Sequence, residues 1–235
     1  YAAGTSVTLS AKGYTITGGY TVKDAQNKEI TLTDSNTFVM PTSDVTVTVT
    51  SITVIQMKGS GTEKDPWIIM YQSQMEQLAT HEILDKEYYQ LGCDLIYSYK
   101  GLGETESNYR PVYVNAGGHF DGAGHTISGI RLYSKSSTKG LFSLNYGTVK
   151  NVTLTDAVIT GYQYVGGIVG SNNQDGIIEN CHVTNTFLIM ATDEKYADCH
   201  GGIAGDNVGR EDMIPVIRNC TSAATVIDNG HDDKE

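Results

Sequence analysis

Three stretches of the chain read as one phrase. Gly140-Leu-Phe-Ser143 leads to Val149-Lys-Asn-Val152, Gly167-Ile-Val-Gly170 to Ile178-Glu-Asn-Cys181, and Gly202-Ile-Ala-Gly205 to Ile217-Arg-Asn-Cys220. A recurring phrase of this length implies one supersecondary unit stacked on copies of itself, because a single unit cannot bury its own apolar face. The phrases start 27 and then 35 residues apart, and the gap from the glycine to the β-branched residue grows from 9 to 11 to 15. Fixed phrases with an elastic spacer predict short strands joined by loops that lengthen without disturbing the stack.

Composition narrows the partners. The chain has 235 residues and a net charge of −11. Residues 1–58 balance Lys12, Lys23, Lys28 and Lys58 against Asp24, Glu29, Asp34 and Asp44, so the whole negative charge lies beyond them. Such a field repels phosphate backbones and anionic lipid, which argues against nucleic acid as a partner. No apolar run approaches the ~20 residues of a membrane span, so no membrane insertion is expected of these residues. Tyr1 opens the chain without an initiator Met, and another Gly-Gly phrase falls due near Glu235; the chain reads as part of a longer protein.

Residues 1–53 form a region of their own. Thirteen of them are Thr, and Val45-Thr-Val-Thr-Val49 alternates strictly, the period of a half-buried strand. A small all-β module of four to six strands is expected there. Residues 54–66 read as a linker through Gly59-Ser-Gly-Thr62 and Asp65-Pro66. Beyond it, residues 67–235 are expected to form one β domain. Ser73-Gln-Met-Glu76 fits a capping box, opening a helix whose Met75, Leu78, Ala79 and Ile83 share a face. That helix would cover the first layer of the stack. Each later phrase carries three apolar segments (Val165 to Val169, Ile177 to Val183 and Phe187 to Met190 in the middle copy). Three strands per turn predicts a triangular parallel β-helix with coils ~4.8 Å apart.

Two resemblances follow from these residues. Phe38-Val-Met-Pro41 and Ser43-Asp-Val-Thr-Val47 resemble the closing strand of the divergent internalin-type B-repeat modules of bacterial surface proteins, which implies a non-catalytic spacer for residues 1–53. Gly-Ile-Val-Gly and Gly-Ile-Ala-Gly, each followed by Ile-x-Asn-Cys, are similar to the GLUG repeats of bacterial surface proteins. Gly59-Ser-Gly-Thr62, Asp65-Pro-Trp-Ile68 and Phe120-Asp-Gly-Ala-Gly-His-Thr-Ile127 match the lead-in that precedes such repeats. This resemblance covers roughly 59–229. It implies a right-handed parallel β-helix in secreted or surface-anchored proteins, many adhesin-like, some accessory to IgA1-protease-type metallopeptidases. Ser143 departs from the pattern, standing where the fourth-position Gly belongs.

Chemistry-bearing patterns are sparse. His81-Glu82-Ile-Leu-Asp85 lacks the second His of a zinc peptidase, and neither a Gly-x-Ser-x-Gly elbow nor a phosphate loop occurs. Cys93, Cys181, Cys199 and Cys220 lack CxxC spacing. Cys181 and Cys220 fall in equivalent slots, as stacked small apolar side chains or, alternatively, as a metal or redox pair. Asp94, Asp121, Asp156 and Glu179 lie near strand ends and could pair across coils as in a glycosidase; the plainer reading makes them solvated. Arg131 and Arg218 are isolated in sequence. Tyr97, Tyr99, Tyr109 and Tyr113 form either a glycan platform or coil-end packing. Asp228-Asn-Gly-His-Asp-Asp233 is oxygen-rich but lacks EF-hand spacing.

The sequence therefore predicts an all-β protein: a right-handed parallel β-helix with a capping helix and an N-terminal β module. Its expected function is that of a bacterial extracellular or cell-surface module, a monomer binding a glycan or a surface protein, with no catalytic, cofactor or metal site. The alternatives are a carbohydrate-active lyase or glycosidase using a carboxylate pair, and a pure spacer, which could serve a larger surface peptidase.

Overall fold

A computed structural model describes residues 1–135, 137–190 and 199–227. The chain divides into two compact units, Tyr1–Gln56 and Met57–Glu235.

The first unit is antiparallel throughout. Its strands are Ser6–Thr8, Tyr14–Ile16, Tyr20–Asp24, Glu29–Ile30, Thr37–Val39, Val45–Val49 and Ile52–Val54, more than the four to six expected. Val7, Val22 and Phe38 are its buried centre, with Leu9, Ile30, Leu32, Met40 and Val45 packed around them. The alternating strand Val45–Val49 is only half used, since Val47 remains 40% exposed.

The second unit begins inside the expected linker. Ile68 N–H donates to Lys58 O at 2.7 Å, Ser60 N–H to Asp65 O at 3.0 Å and Tyr88 N–H to Gly61 O at 3.0 Å. Met57 packs on the second core, so residues 57–66 are ordered lead-in and not a tether.

Among the described residues, four parallel sheets build this unit, with a two-stranded parallel pair, Val165–Gly166 and His200–Gly201, beside them. Sheet 1 stacks Val112–Val114, Phe142–Asn145, Val169–Asn173 and Ala204–Val208. Sheet 2 stacks Trp67–Ile69, Tyr88–Leu91, His119–Asp121, Thr148–Lys150, Ile177–Glu179 and Val216–Arg218. Sheet 3 stacks Leu95–Ile96, Thr126–Ser128, Thr153–Thr155, His182–Thr184 and Thr221–Ser222. Sheet 4 stacks Arg131–Tyr133, Val158–Gly161, Phe187–Met190 and Thr225–Ile227. The chain visits the sheets in that order and returns to sheet 1, an arrangement consistent with a parallel β-helix.

Each turn thus has four main strands, where the apolar segments suggested three. The segment Ile177 to Val183 is apolar at intervals but breaks at Asn180, whose φ of 51° turns a corner between sheets 2 and 3. Asn151 and Asn219 make the same corner in the neighbouring turns, with φ of 55° each. Asn tolerates the left-handed region better than other non-glycine residues, which is why the phrase carries it there.

The core is a set of in-register columns. Phe120, Val149 and Ile178 align in sheet 2, Ile127, Leu154 and Val183 in sheet 3, and Leu132, Ile159 and Leu188 in sheet 4. All are buried, each contributing about 1.5–3 kcal/mol by removal from water. Helix α1 (Gln72–His81) closes the beginning of the stack with Met75, Leu78 and Ala79, and Ile83 follows into the core. Its start differs from the Ser73 capping box expected. Tyr71 is the cap residue, and Gln74 Oε1 accepts the free N–H groups of Met70 (2.7 Å) and Tyr71 (3.1 Å). Ser73 is buried within the first turn.

The fourth glycine of the phrase has a steric cause. A Cβ on Gly170 would sit 2.6 Å from Lys139 N and from Thr138 C, and one on Gly205 2.3 Å from Tyr164 C. The chain entering each turn runs over the next turn's phrase, so only Gly fits. Position 143 is half-exposed, and its Ser hydroxyl instead donates to Val112 O at 3.3 Å.

Candidate functional site

Side chains that repeat at one position of successive parallel strands stand in columns ~4.8 Å apart. Neighbours in such a column must either attract or exclude one another, and the chain resolves this in three ways.

Inside the corner between sheets 1 and 2 lies an amide ladder. Asn145 Nδ2 donates to Asn172 Oδ1 at 2.7 Å, and Asn172 Nδ2 to Asn207 Oδ1 at 2.8 Å. Asn145 and Asn172 are fully buried, and Asn172 also donates to Gly176 O at 3.0 Å. A signal for it existed: each Asn stands five residues after the phrase-opening Gly140, Gly167 or Gly202.

On the outer face of sheet 2 runs a column of alternating charge. Asp121, Lys150, Glu179 and Arg218 are in register. Lys150 Nζ lies 3.3 Å from Asp121 Oδ2, and Arg218 donates to Glu179 Oε2 at 2.9 Å. The Arg218 guanidinium, with Lys150 beyond it, holds the exposed Glu179 carboxyl below its ordinary value. Lys150 escaped the sequence reading because its neighbours in space lie a full turn away in the chain.

This column holds two of the four candidate carboxylates. Asp121 is held at both oxygens, by Lys150, by Asn151 Nδ2 (2.9 Å) and by Ala123 N–H (2.7 Å). Glu179 shares the column one rung beyond Lys150, so a lysine stands in register between the two carboxylates. Asp156 accepts from Asn185 Nδ2 and from Thr155 Oγ1 (3.3 Å). Asp94 accepts from Thr126 N–H at 2.9 Å and faces His125 Nδ1 at 3.1 Å; that N–H, then the imidazole, lowers its pKa. The fold brings Asp121 and Glu179 to one face and leaves Asp94 and Asp156 at other corners.

Aromatic rings follow the same column logic. Tyr88 and His119 stack at 4.2 Å between centroids and 12° between planes, and Tyr113 stacks on Tyr146 at 5.9 Å. Burial depresses the His119 pKa, with Lys150 adding to the effect. Tyr97 and Tyr109 are buried and pack edge to face, the Tyr109 hydroxyl donating to Leu141 O at 3.0 Å. The Arg131 guanidinium lies 5.0 Å from the Tyr99 ring centroid. Tyr97, Tyr99, Tyr109 and Tyr113 therefore do not make one platform.

Cys181 is buried, its Sγ lying 3.8 Å from Val149 O and its N–H donating to Cys220 Sγ at 3.4 Å, all thiols being free. Burial pushes the Cys181 thiol up to about 12, an inert packing sulfur. His81 bonds Glu87 at 3.2 Å rather than Glu82 or Asp85. Among the described residues no group of three His, Cys, Asp or Glu is placed to hold a metal, and no helix is long and apolar enough to cross a membrane. Asp228 to Asp233 lie outside the described residues.

Parallel sheets visited in rotation, with in-register columns inside and out, define a stacked β-repeat protein. Residues 161–187 match the GLUG motif, the span that holds the middle phrase. Over 155 residues it is 30% identical to halomucin from Haloquadratum walsbyi, a stretch that is 63% of this chain and 2% of halomucin. In structure it is similar to a candidate immunoglobulin A1 protease from Bacteroides ovatus, with a TM-score of 0.52 and 24% identity, over 71% of this chain and 50% of that one. That likeness concerns the fold.

Proposed function

We propose that the chain is a non-catalytic module of a secreted or cell-surface bacterial protein, a right-handed parallel β-helix that binds a glycan or a surface protein. The outer face of sheet 2 is the binding face. One observation carries this reading: Asp121, Lys150, Glu179 and Arg218 neutralise one another rung by rung, leaving a flat, polar, rigid surface. A nucleophile or general base would need an uncommitted group with a displaced pKa, whereas these carboxylates are fixed as charged partners. Because the column residues of this face are charged, recognition here rests on hydrogen bonds and charge. The right hand is supported by the rule for crossovers between parallel strands. The likeness of Phe38 to Val47 to B-repeat modules supports residues 1–53 as a non-catalytic spacer.

The test is a screen of the 235-residue chain against neutral and acidic polysaccharides and casein, with and without Ca²⁺ and Zn²⁺. Saturable binding without turnover, weakened by Lys150→Glu, is expected. Turnover that disappears in Asp121→Asn or Glu179→Gln would establish the carbohydrate-active alternative instead.

A further inference from the structure

The outer face of sheet 2 carries two parallel columns of side chains. One holds Tyr88, His119, Thr148 and Ile177, and the other Gln90, Asp121, Lys150 and Glu179. All are half-buried, and the residue between each pair (Tyr89, Phe120, Val149 or Ile178) points into the core. These rungs lie in the body of the stack, flanked by Trp67–Ile69 on one side and Val216–Arg218 on the other. The first column is the less polar: Tyr88 stacks on His119, and Thr148 and Ile177 continue it with methyl groups. The second changes sign at each step from Asp121 to Lys150 to Glu179. Rungs recur every ~4.8 Å, so like charge recurs every ~9.6 Å.

The charged column keeps hydrogen-bonding capacity for a ligand. An ammonium has three N–H groups, and among the described residues Lys150 Nζ is paired with Asp121 Oδ2 alone, its side chain remaining 41% exposed. Glu179 Oε2 accepts from Arg218, and Oε1 accepts from none of the described residues.

A periodic surface selects a ligand whose own repeat keeps step with it. An extended polypeptide along the stack axis does not, since it advances ~3.3 Å per residue and turns alternate side chains to opposite faces. The net charge of −11 repels phosphodiester chains and acidic polysaccharides. An extended β-1,4-linked pyranose chain advances by nearly one rung per sugar. It turns over at each linkage, so the same edge recurs at every second sugar, the period of the charge column. Its hydroxyls donate and accept alike, which matches acid and base in turn, and its C–H faces match the less polar column.

Resting on the binding role given to sheet 2, we propose that this face holds a neutral, linear β-1,4-linked glycan laid along the stack axis, one sugar to a rung. Hydroxyl edges meet Asp121, Lys150 and Glu179, and ring faces lie over Thr148 and Ile177.

The full chain is titrated by calorimetry with the β-1,4-linked tetraoses of glucose, mannose and xylose, the matching bioses, and maltotetraose as the α-1,4-linked control. At least one β-1,4 tetraose should bind about tenfold more tightly than its biose, the equivalent of one or two added hydrogen bonds, and exceed maltotetraose by as much. Amide shifts on binding should gather at His119–Asp121, Thr148–Lys150 and Ile177–Glu179. Lys150→Ala and, in the other column, Ile177→Asp, each checked for folding by circular dichroism, should weaken binding about tenfold. Equal affinity for maltotetraose, no gain from biose to tetraose, shifts away from sheet 2, or indifference to both substitutions would overturn the axial glycan and leave glycan binding in general standing. Failure of every oligosaccharide would overturn it together with the glycan half of the wider reading, leaving a surface protein as the ligand.

Discussion

Replacing Asn172 by Ala tests whether the buried amide ladder holds the turns together. The side chain is fully buried and makes three bonds: to Gly176 O (3.0 Å), to Asn207 Oδ1 (2.8 Å), and from Asn145 Nδ2 (2.7 Å). Asn145 Nδ2 keeps Ile177 O at 3.3 Å, so it is not orphaned. Gly176 O and Asn207 Oδ1 each lose a donor. Net loss of three bonds is about 1 kcal/mol apiece, and a buried group left without a partner adds about 1–3 kcal/mol. The expected destabilisation is about 4–6 kcal/mol. Asn180→Ala is the matched control. It forfeits one exposed bond, to Asn151 Oδ1 at 3.0 Å, and a favourable left-handed residue, costing about 1 kcal/mol. Urea denaturation followed by far-ultraviolet circular dichroism, with the single Trp67 as a second probe of the β-helical unit, gives both values. Equal midpoints for the two variants would refute the ladder as a structural element.

Two further outcomes follow from the steric and acid–base observations. Gly170→Ala should destabilise the chain by about 2–3 kcal/mol, because the backbone of Thr138-Lys139 must move, while Ser143→Gly should cost under about 1 kcal/mol; a reversed order by thermal melting would contradict the overlay of successive turns. Asp94 and Glu179 have folded pKa values below their ordinary ones, so their contribution is complete above the unfolded carboxylate range and disappears as pH falls through the lower folded values. Asp94→Asn should flatten that acid limb in pH-dependent melting, and an unchanged limb would remove the role assigned to Thr126 N–H and His125.

What was legible in the chain, and what was not, divides along the axis of the stack. The repeated phrase revealed the stacking, and Met75, Leu78, Ala79 and Ile83 revealed the cover, because both are patterns within one turn. The four strands per turn are hidden for a local reason: Asn180 lies within Ile177–Val183 and turns a corner between two short strands whose apolar residues lie close enough in sequence to read as one segment. Contacts between turns were the hardest to read. Lys150 gains meaning only beside Asp121 and Glu179, and each of these is about thirty residues away, at a distance stretched by loop length. Elastic spacers therefore hide columns from a reader who counts from the start of the chain, yet they leave offsets from each phrase intact. Measured from the phrase glycines, Asn145, Asn172 and Asn207 fall into line. Measured instead from the corner residues Asn151, Asn180 and Asn219, Lys150, Glu179 and Arg218 align, each immediately before its Asn, in alternating sign. A stacked protein selects residues by rung, and alternation along a column is what distinguishes a surface whose charges satisfy one another from one that holds a group ready for chemistry.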